Sequence, residues 1–167
     1  YPDQRNDHSH GLLASGKRVY FSRPTPGRAN GARGIGTALE KPHFNVQHGF
    51  FNNPFNVSIA SRVPGAIIRY TTDYTQPTAT NGKVYREPIN IRRTTVIRAA
   101  VFAEGALPSR VVTQTYVYNL SKSILSLPLL SLVTDNKNLW GNTGIMETNP
   151  RNTNKRGIAW ERPISAE

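Results

Sequence analysis

His8 and His10 are the residues of this chain that look most like metal ligands. They stand two apart, with Asp3 and Asp7 nearby, and imidazoles and carboxylates are ordinary zinc ligands. The segment around them is polar and aperiodic, so a flexible tail is the stronger reading and no metal site is expected. His43 and His48 flank a turn and read as surface residues. Four His and four Asp scattered over 167 residues do not assemble a nucleophile–base–orienter set. Cysteine is absent, which removes disulfides, thiolate metal sites and cysteine nucleophiles together. No catalytic residue, metal or cofactor is expected, and the chain reads as a non-enzyme.

Binding chemistry is better supplied. Aromatic rings can stack on sugar faces, and Phe55, Tyr70, Tyr85, Tyr116 and Tyr118 could do so. At strand spacing they read instead as core. Tyr74 stands in a polar loop, and Phe50 and Phe51 precede a strand. These three are the candidate contacts to a ligand or a neighbouring chain. A calcium site in the loop from Asp73 to Gly82 would need several carboxylates. Only Asp73 is there, so an Asx-type turn is expected, with Asn81-Gly82 as a second turn signal. Two acceptor sequons, Asn56-Val57-Ser58 and Asn119-Leu120-Ser121, make Asn56 and Asn119 candidates for glycosylation.

The elements that carry these residues are short strands. Phe55-Asn56-Val57-Ser58-Ile59 alternates strictly, which turns Asn56 outward. Ala66–Thr72 is a second run, with Ile68 and Tyr70 on one face and Ile67 and Arg69 on the other. Tyr85–Ile91 is a third, limited by Pro88 to an edge or a strand start. Thr94–Phe102 is the strongest, rich in β-branched residues. Val111–Tyr118 closes the set, with Val112, Tyr116 and Tyr118 on one face. With a short strand near Phe44, the spacing of about ten residues reads as an all-β chain, an antiparallel β-sandwich.

Three regions follow: an extended N-terminal flank over 1–42, the sandwich over 43–119, and an extended C-terminal flank over 120–167. The first has one strand candidate, Lys17–Ser22, and is otherwise rich in Gly, Pro and Arg. The last has an apolar run, Leu125–Val133, broken by Pro128, and then an Asn-rich stretch with Trp140 and Trp160 as its large anchors. Neither flank has the apolar residues for a core of its own. Each must lean on the sandwich or on neighbouring copies.

Net charge is +11, which first suggests nucleic acid. The distribution argues otherwise: 7 basic and 3 acidic residues over 1–42, 8 and 3 over 43–119, and 6 and 4 over 120–167. No basic run exceeds a pair such as Arg92-Arg93, whereas a phosphate-tracking groove needs a denser stripe. An anionic polysaccharide or an acidic neighbouring subunit suits this spread better. No apolar run approaches the roughly 18 residues of a membrane helix. The start YPDQRNDHSHG has no apolar run behind a basic segment, so no signal peptide is expected.

The run Pro64-Gly65-Ala66, Ile68, Tyr70-Thr71-Thr72-Asp73, Pro77-Thr78, Tyr85 and Pro88-Ile89 resembles the chitobiase/β-hexosaminidase C-terminal-type domain. That is an immunoglobulin-like, fibronectin type III-associated module. Thr94–Ala99 and Pro108-Ser109 are similar to it as well. Its pattern has Gly after the Asp, where this chain has Tyr74, so the turn differs or Tyr74 adopts an unusual conformation.

Tyr20-Phe21 and Pro24-Thr25-Pro26-Gly27 with Ala29-Asn30 are similar to the closing segment of bacterial lamin-tail-like domains. Leu127-Pro128, Ser131–Asp135, Asn138-Leu139, Gly144-Ile145 and Trp160-Glu161-Arg162-Pro163 resemble the opening of the spore-coat-protein-H kinase-like family. Large secreted bacterial proteins join these three modules in this order, which implies an extracellular or cell-surface setting. No Gly-rich phosphate loop, base or metal-binding acid set is present, so phosphotransfer is not carried over.

The expectation is a non-enzymatic structural module, a subunit of a surface-associated polymer or filament assembled through its flanks. Its partners would be other copies or neighbouring domains of a longer chain. Leu125, Leu127, Leu129, Leu130, Leu132 and Val133 would form the docking strand. The alternative is a carbohydrate-binding accessory module of a larger secreted kinase-like or glycan-active protein.

Overall fold

The computed structural model describes residues 4–149 and 151–167. In chain order its elements are a hairpin of β1 (Ser9–Leu12) and β2 (Arg18–Phe21), then β3 (His43–Phe44), β4 (Gly49–Phe51), β5 (Phe55–Val57) and β6 (Ile59–Ala60). There follow β7 (Ile67–Thr71), β8 (Lys83–Val84), β9 (Ile89–Ile91), β10 (Thr95–Phe102) and β11 (Val112–Tyr118). The C-terminal flank carries α1 (Lys122–Leu125), β12 (Leu132–Val133), α2 (Asn136–Leu139) and β13 (Ser165–Ala166).

One layer is a five-stranded sheet in the order β4-β11-β10-β7-β8. It is antiparallel except at its edge, where β4 runs parallel to β11. The facing layer is made by two antiparallel pairs, β3 with β6 and β5 with β9. The alternating run Phe55–Ile59 feeds both pairs. At Ser58 the chain leaves β9 for β3, and Asn45 holds the crossover by accepting the Ser58 N–H on its side chain (2.7 Å). Phe44, Val57, Ile59 and Ile91 thereby meet Ile68, Ile97, Ala99, Val101 and Tyr116 in one core. This is the all-β sandwich that the strand spacing implied, of the immunoglobulin-like type that the resemblance implied. Burying each large apolar side chain there stabilises the fold by roughly 1.5–3 kcal/mol.

Leu39, from the N-terminal flank, enters the same core. It is placed by paired bonds, its N–H to the Leu107 carbonyl (2.9 Å) and the Leu107 N–H to the Thr37 carbonyl (2.8 Å). The hairpin makes a small cluster of its own. Val19, Tyr20 and Phe21 are buried, with His10 edge-on to Tyr20 at 4.9 Å. Gly34 lies so close to Val19 and the Tyr20 carbonyl that a Cβ would not fit.

Three expectations need correction. Residues 9–12 are a strand, not a flexible tail, because β2 supplies a full ladder to a segment with no strand signal of its own. Leu125–Val133 is not one strand. Leu125 ends a helical turn whose first carbonyl, from Ser121, accepts the Ile124 and Leu125 N–H groups, and Pro128 has no N–H to offer a ladder. Leu127, Leu129 and Leu130 are irregular, and only Leu132 and Val133 pair, with β13. Trp140 is half exposed and is not a buried anchor. Trp160 is held by cations instead, Lys155 Nζ lying 4.4 Å from its ring centre and the Arg162 guanidinium 5.4 Å.

Candidate functional site

Strands β10 and β11 are buried on both faces. Ile97, Ala99 and Val101 point into the sandwich, whereas Val96, Arg98 and Ala100 point out and are nevertheless buried. The C-terminal flank meets this outer face. Thr113 Oγ1 donates to Ser165 Oγ (2.9 Å), and Thr115 Oγ1 lies 2.8 Å from Ser131 Oγ. Ser131 and Glu167 exchange backbone bonds of 2.9 and 3.0 Å that extend the β12–β13 pair. Thr134 Oγ1 donates to the Pro163 carbonyl (2.7 Å), and Asn138 Nδ2 to Thr134 Oγ1 (2.7 Å). The contact is a polar zipper between hydroxyl-bearing strands.

Arg98 ties this zipper to the Asp73 loop. It is buried, and its Nη1 donates both to Asp135 Oδ1 (2.9 Å) and to the Tyr74 carbonyl (2.7 Å). Asp73 forms the expected Asx-type turn: its Oδ1 accepts from the Thr75 hydroxyl (2.7 Å) and N–H (3.2 Å). The hydroxyl bond foremost, with help from the backbone N–H groups, holds the Asp73 carboxyl below the usual carboxylate range. Asn81 Nδ2 donates to the Gln76 carbonyl (2.9 Å) and Thr75 Oγ1 (3.0 Å). Gly82, at φ +98°, turns so close to the Tyr70 carbonyl that a side chain would collide. Tyr74 sits at φ +69°, the left-handed conformation that suits the Gly of the resembled pattern, and its ring is 52% exposed. This loop borders a groove of about 500 Å³ where β7 and β9 meet the start of β10.

The structure separates the other candidates. Phe50 is half exposed on the edge strand β4. Phe51 faces inward against Phe55 (4.2 Å) and Tyr116 (5.8 Å). Asn56 faces outward, and its Oδ1 accepts from Asn90 Nδ2 (2.8 Å). Asn119 is exposed at φ +57°, a conformation Asn tolerates. His8 Nδ1 lies against the Asn6 carbonyl (2.8 Å), and Asp3 is outside the described residues. Among the described residues no three His, Asp or Glu gather as a metal would need, and no helix is long and apolar enough to cross a membrane.

Residues 57–116 match the family model described as Fn3 associated. The match runs from the end of β5 into β11 and leaves both flanks outside it. No curated protein matches the chain. A match of this segment to an Fn3-associated model suggests an accessory module of a type that is ordinarily non-catalytic. Sequence reasoning passed over the residues that fasten the flank to the sandwich, Arg98 and Asp135. An arginine in the middle of TVIRAAVF was the available signal, because a charge in a strand buried on both faces needs a partner.

Proposed function

We propose that the chain is a connecting module of an extracellular bacterial surface protein. Its sandwich binds the polar side of the C-terminal flank and presents the flank's other side to a neighbouring domain of a longer chain. The observation that carries this reading is that the flank is held to the sandwich by its polar residues and leaves large apolar side chains exposed. Leu127, Leu130 and Ile158 are 64%, 67% and 86% exposed, and Leu125, Leu129 and Leu132 are also open. An apolar surface of this extent on a flank that is itself fixed in place marks an interaction face. The resemblance of residues 127–163 to the opening of a spore-coat-protein-H kinase-like domain supplies the kind of neighbour. The resemblance of residues 20–30 to the end of a lamin-tail-like domain supplies the other side.

In the polymer version, the leucine face meets another copy of the chain. The exposed leucines between Leu125 and Leu132 favour that version; the polar contacts of Ser131, Asp135 and Ser165 with their own sandwich favour the connector. Sugars on Asn56 and Asn119 are compatible with both. A carbohydrate-binding accessory role is the second reading, supported by the Tyr74 ring standing half exposed at the groove.

The apolar face is tested by the variant Leu127→Ser/Leu130→Ser/Ile158→Ser. Binding of an apolar dye should fall several-fold, and each substitution should change stability by no more than about 0.5 kcal/mol, as surface changes do. A loss of several kcal/mol would mean that these side chains hold the chain's own fold, against the reading.

A further inference from the structure

We propose that the groove beside the Asp73–Gly82 loop binds an acidic polysaccharide, one carrying carboxylate or sulfate groups. The proposal rests on the carbohydrate-binding reading and gives it a site and a ligand class. Tyr70 and Tyr74 line the groove together with Lys83, Arg92 and Arg93, and among the described residues no carboxylate lines it. Glu87 acts on Tyr70 from nearby but is outside the lining. Arg92 is steadied by Asn90, whose Oδ1 accepts from its Nε. Lys83 and Arg93 make no ion pair among the described residues. Three cations thus line a concave surface that no carboxylate lines among the described residues, with Glu87 and Asp73 at its borders, on a chain of net charge +11 that attracts polyanions at long range.

The neutral lining suits a hydroxyl-rich ligand. Thr72, Asn90, Thr94 and Thr95 offer donors and acceptors between the charges. Tyr74 offers an aromatic face, and its backbone gives the second, independent observation. A non-glycine residue at φ +69° is strained, and such strain persists where the surroundings over-determine it and tends to gather at ligand sites. Here Arg98 holds the Tyr74 carbonyl and Thr75 holds Asp73, so the ring is presented by a loop that cannot relax easily. Nucleic acid fits less well. Its phosphates recur at every nucleotide and call for a continuous cationic track, whereas this groove offers one arginine pair and a single lysine.

The test is retention of the full chain on polygalacturonate and dextran sulfate, against chitin, neutral dextran and oligo(dT). The variants are Tyr74→Gly, Lys83→Gln/Arg93→Gln, and the control pair Arg28→Gln/Arg151→Gln, which removes the same charge from exposed sites elsewhere. Tyr74→Gly relieves the left-handed strain and removes little buried surface, so it keeps the fold while deleting the ring.

We expect retention on the acidic polymers that weakens with salt. It should fall at least tenfold in Tyr74→Gly and in Lys83→Gln/Arg93→Gln, and less than twofold in the control. Equal loss in the control would overturn the proposal in favour of diffuse charge. So would oligo(dT) binding as tight and as sensitive to the same variants. Retention on chitin or dextran alone would overturn the proposal and leave the carbohydrate reading standing. No retention on any glycan would overturn both.

Discussion

Replacing Tyr116 with Ala should lower the stability of the sandwich by about 4 kcal/mol, the range of aromatic-to-alanine changes in a packed core. Tyr116 is fully buried between the two layers. Phe51 and Phe55 meet its ring edge-on at 5.8 and 5.5 Å, and its hydroxyl donates to the Val46 carbonyl at 2.9 Å. It is therefore the point at which the edge strand β4, the alternating strand β5 and the central sheet are joined.

Tyr116→Phe keeps the ring and removes only the donor, so it should cost about 1–2 kcal/mol for the carbonyl left buried. Burial, and after it the charge of Glu167, push the phenol above its ordinary range. The folded pKa is thus higher than the unfolded one. The stability supplied by this donor should be complete below about pH 10 and lost as pH rises beyond it. Urea denaturation of the three proteins across alkaline pH checks all of this. If Ala and Phe cost the same, the ring is not the join.

Removing Asp135 should cost nearly as much, about 3 kcal/mol. The Arg98 guanidinium is buried on the outer face of β10, with Asp135 2.9 Å away. Deleting one partner of such a pair leaves a charge that neither water nor protein compensates. The Tyr74 carbonyl still accepts from Nη1, and Nε is already without a bond, so the penalty belongs at the lower end for buried pairs.

Asp135→Ala should also free the flank and make residues 120–135 far more sensitive to protease. Adding Arg98→Met removes the orphaned charge and should restore most of the stability, because apolar replacement of a buried pair is often neutral. The four proteins form a double-mutant cycle measured by denaturation and limited proteolysis. A cost under 0.5 kcal/mol with unchanged proteolysis would show that Asp135 does not hold the flank on the sheet.

The strands of both layers could be read from residue types and period, since Phe55–Ile59 in the facing layer alternates and Thr95–Phe102 in the central sheet is rich in β-branched residues. The same pattern understated β10. Arg98, Thr113 and Thr115 are buried on the outer face where Asp135, Ser165 and Ser131 meet them, and no local periodicity encodes a cover that arrives from residues 131–135 and 165–167. Strand β1 escaped for a similar reason: Ser9-His10-Gly11-Leu12 has no strand preference and becomes a strand only by pairing with β2.

The leucine run misled in the other direction. Its hydrophobicity suggested a strand, but Pro128 and the helical turn at Ser121–Leu125 divide it. Tyr74 was legible as an anomaly. Its type at a glycine position indicated a changed turn or an unusual backbone, and the backbone alternative is the one found. The cations that share its groove lie 9 to 19 residues further along the chain, so only the fold brings them together.

The central claim is that the C-terminal flank docks on the chain's own sandwich. The chain has no cysteine, so the pair Thr115→Cys/Ser131→Cys would contain its only thiols, at positions whose hydroxyl oxygens are 2.8 Å apart. Oxidised in dilute solution, the variant should form an internal disulfide and run as a monomer with no titratable thiol. Disulfide-linked dimers and higher multimers that persist on dilution would show the flank docking on other copies and contradict the claim.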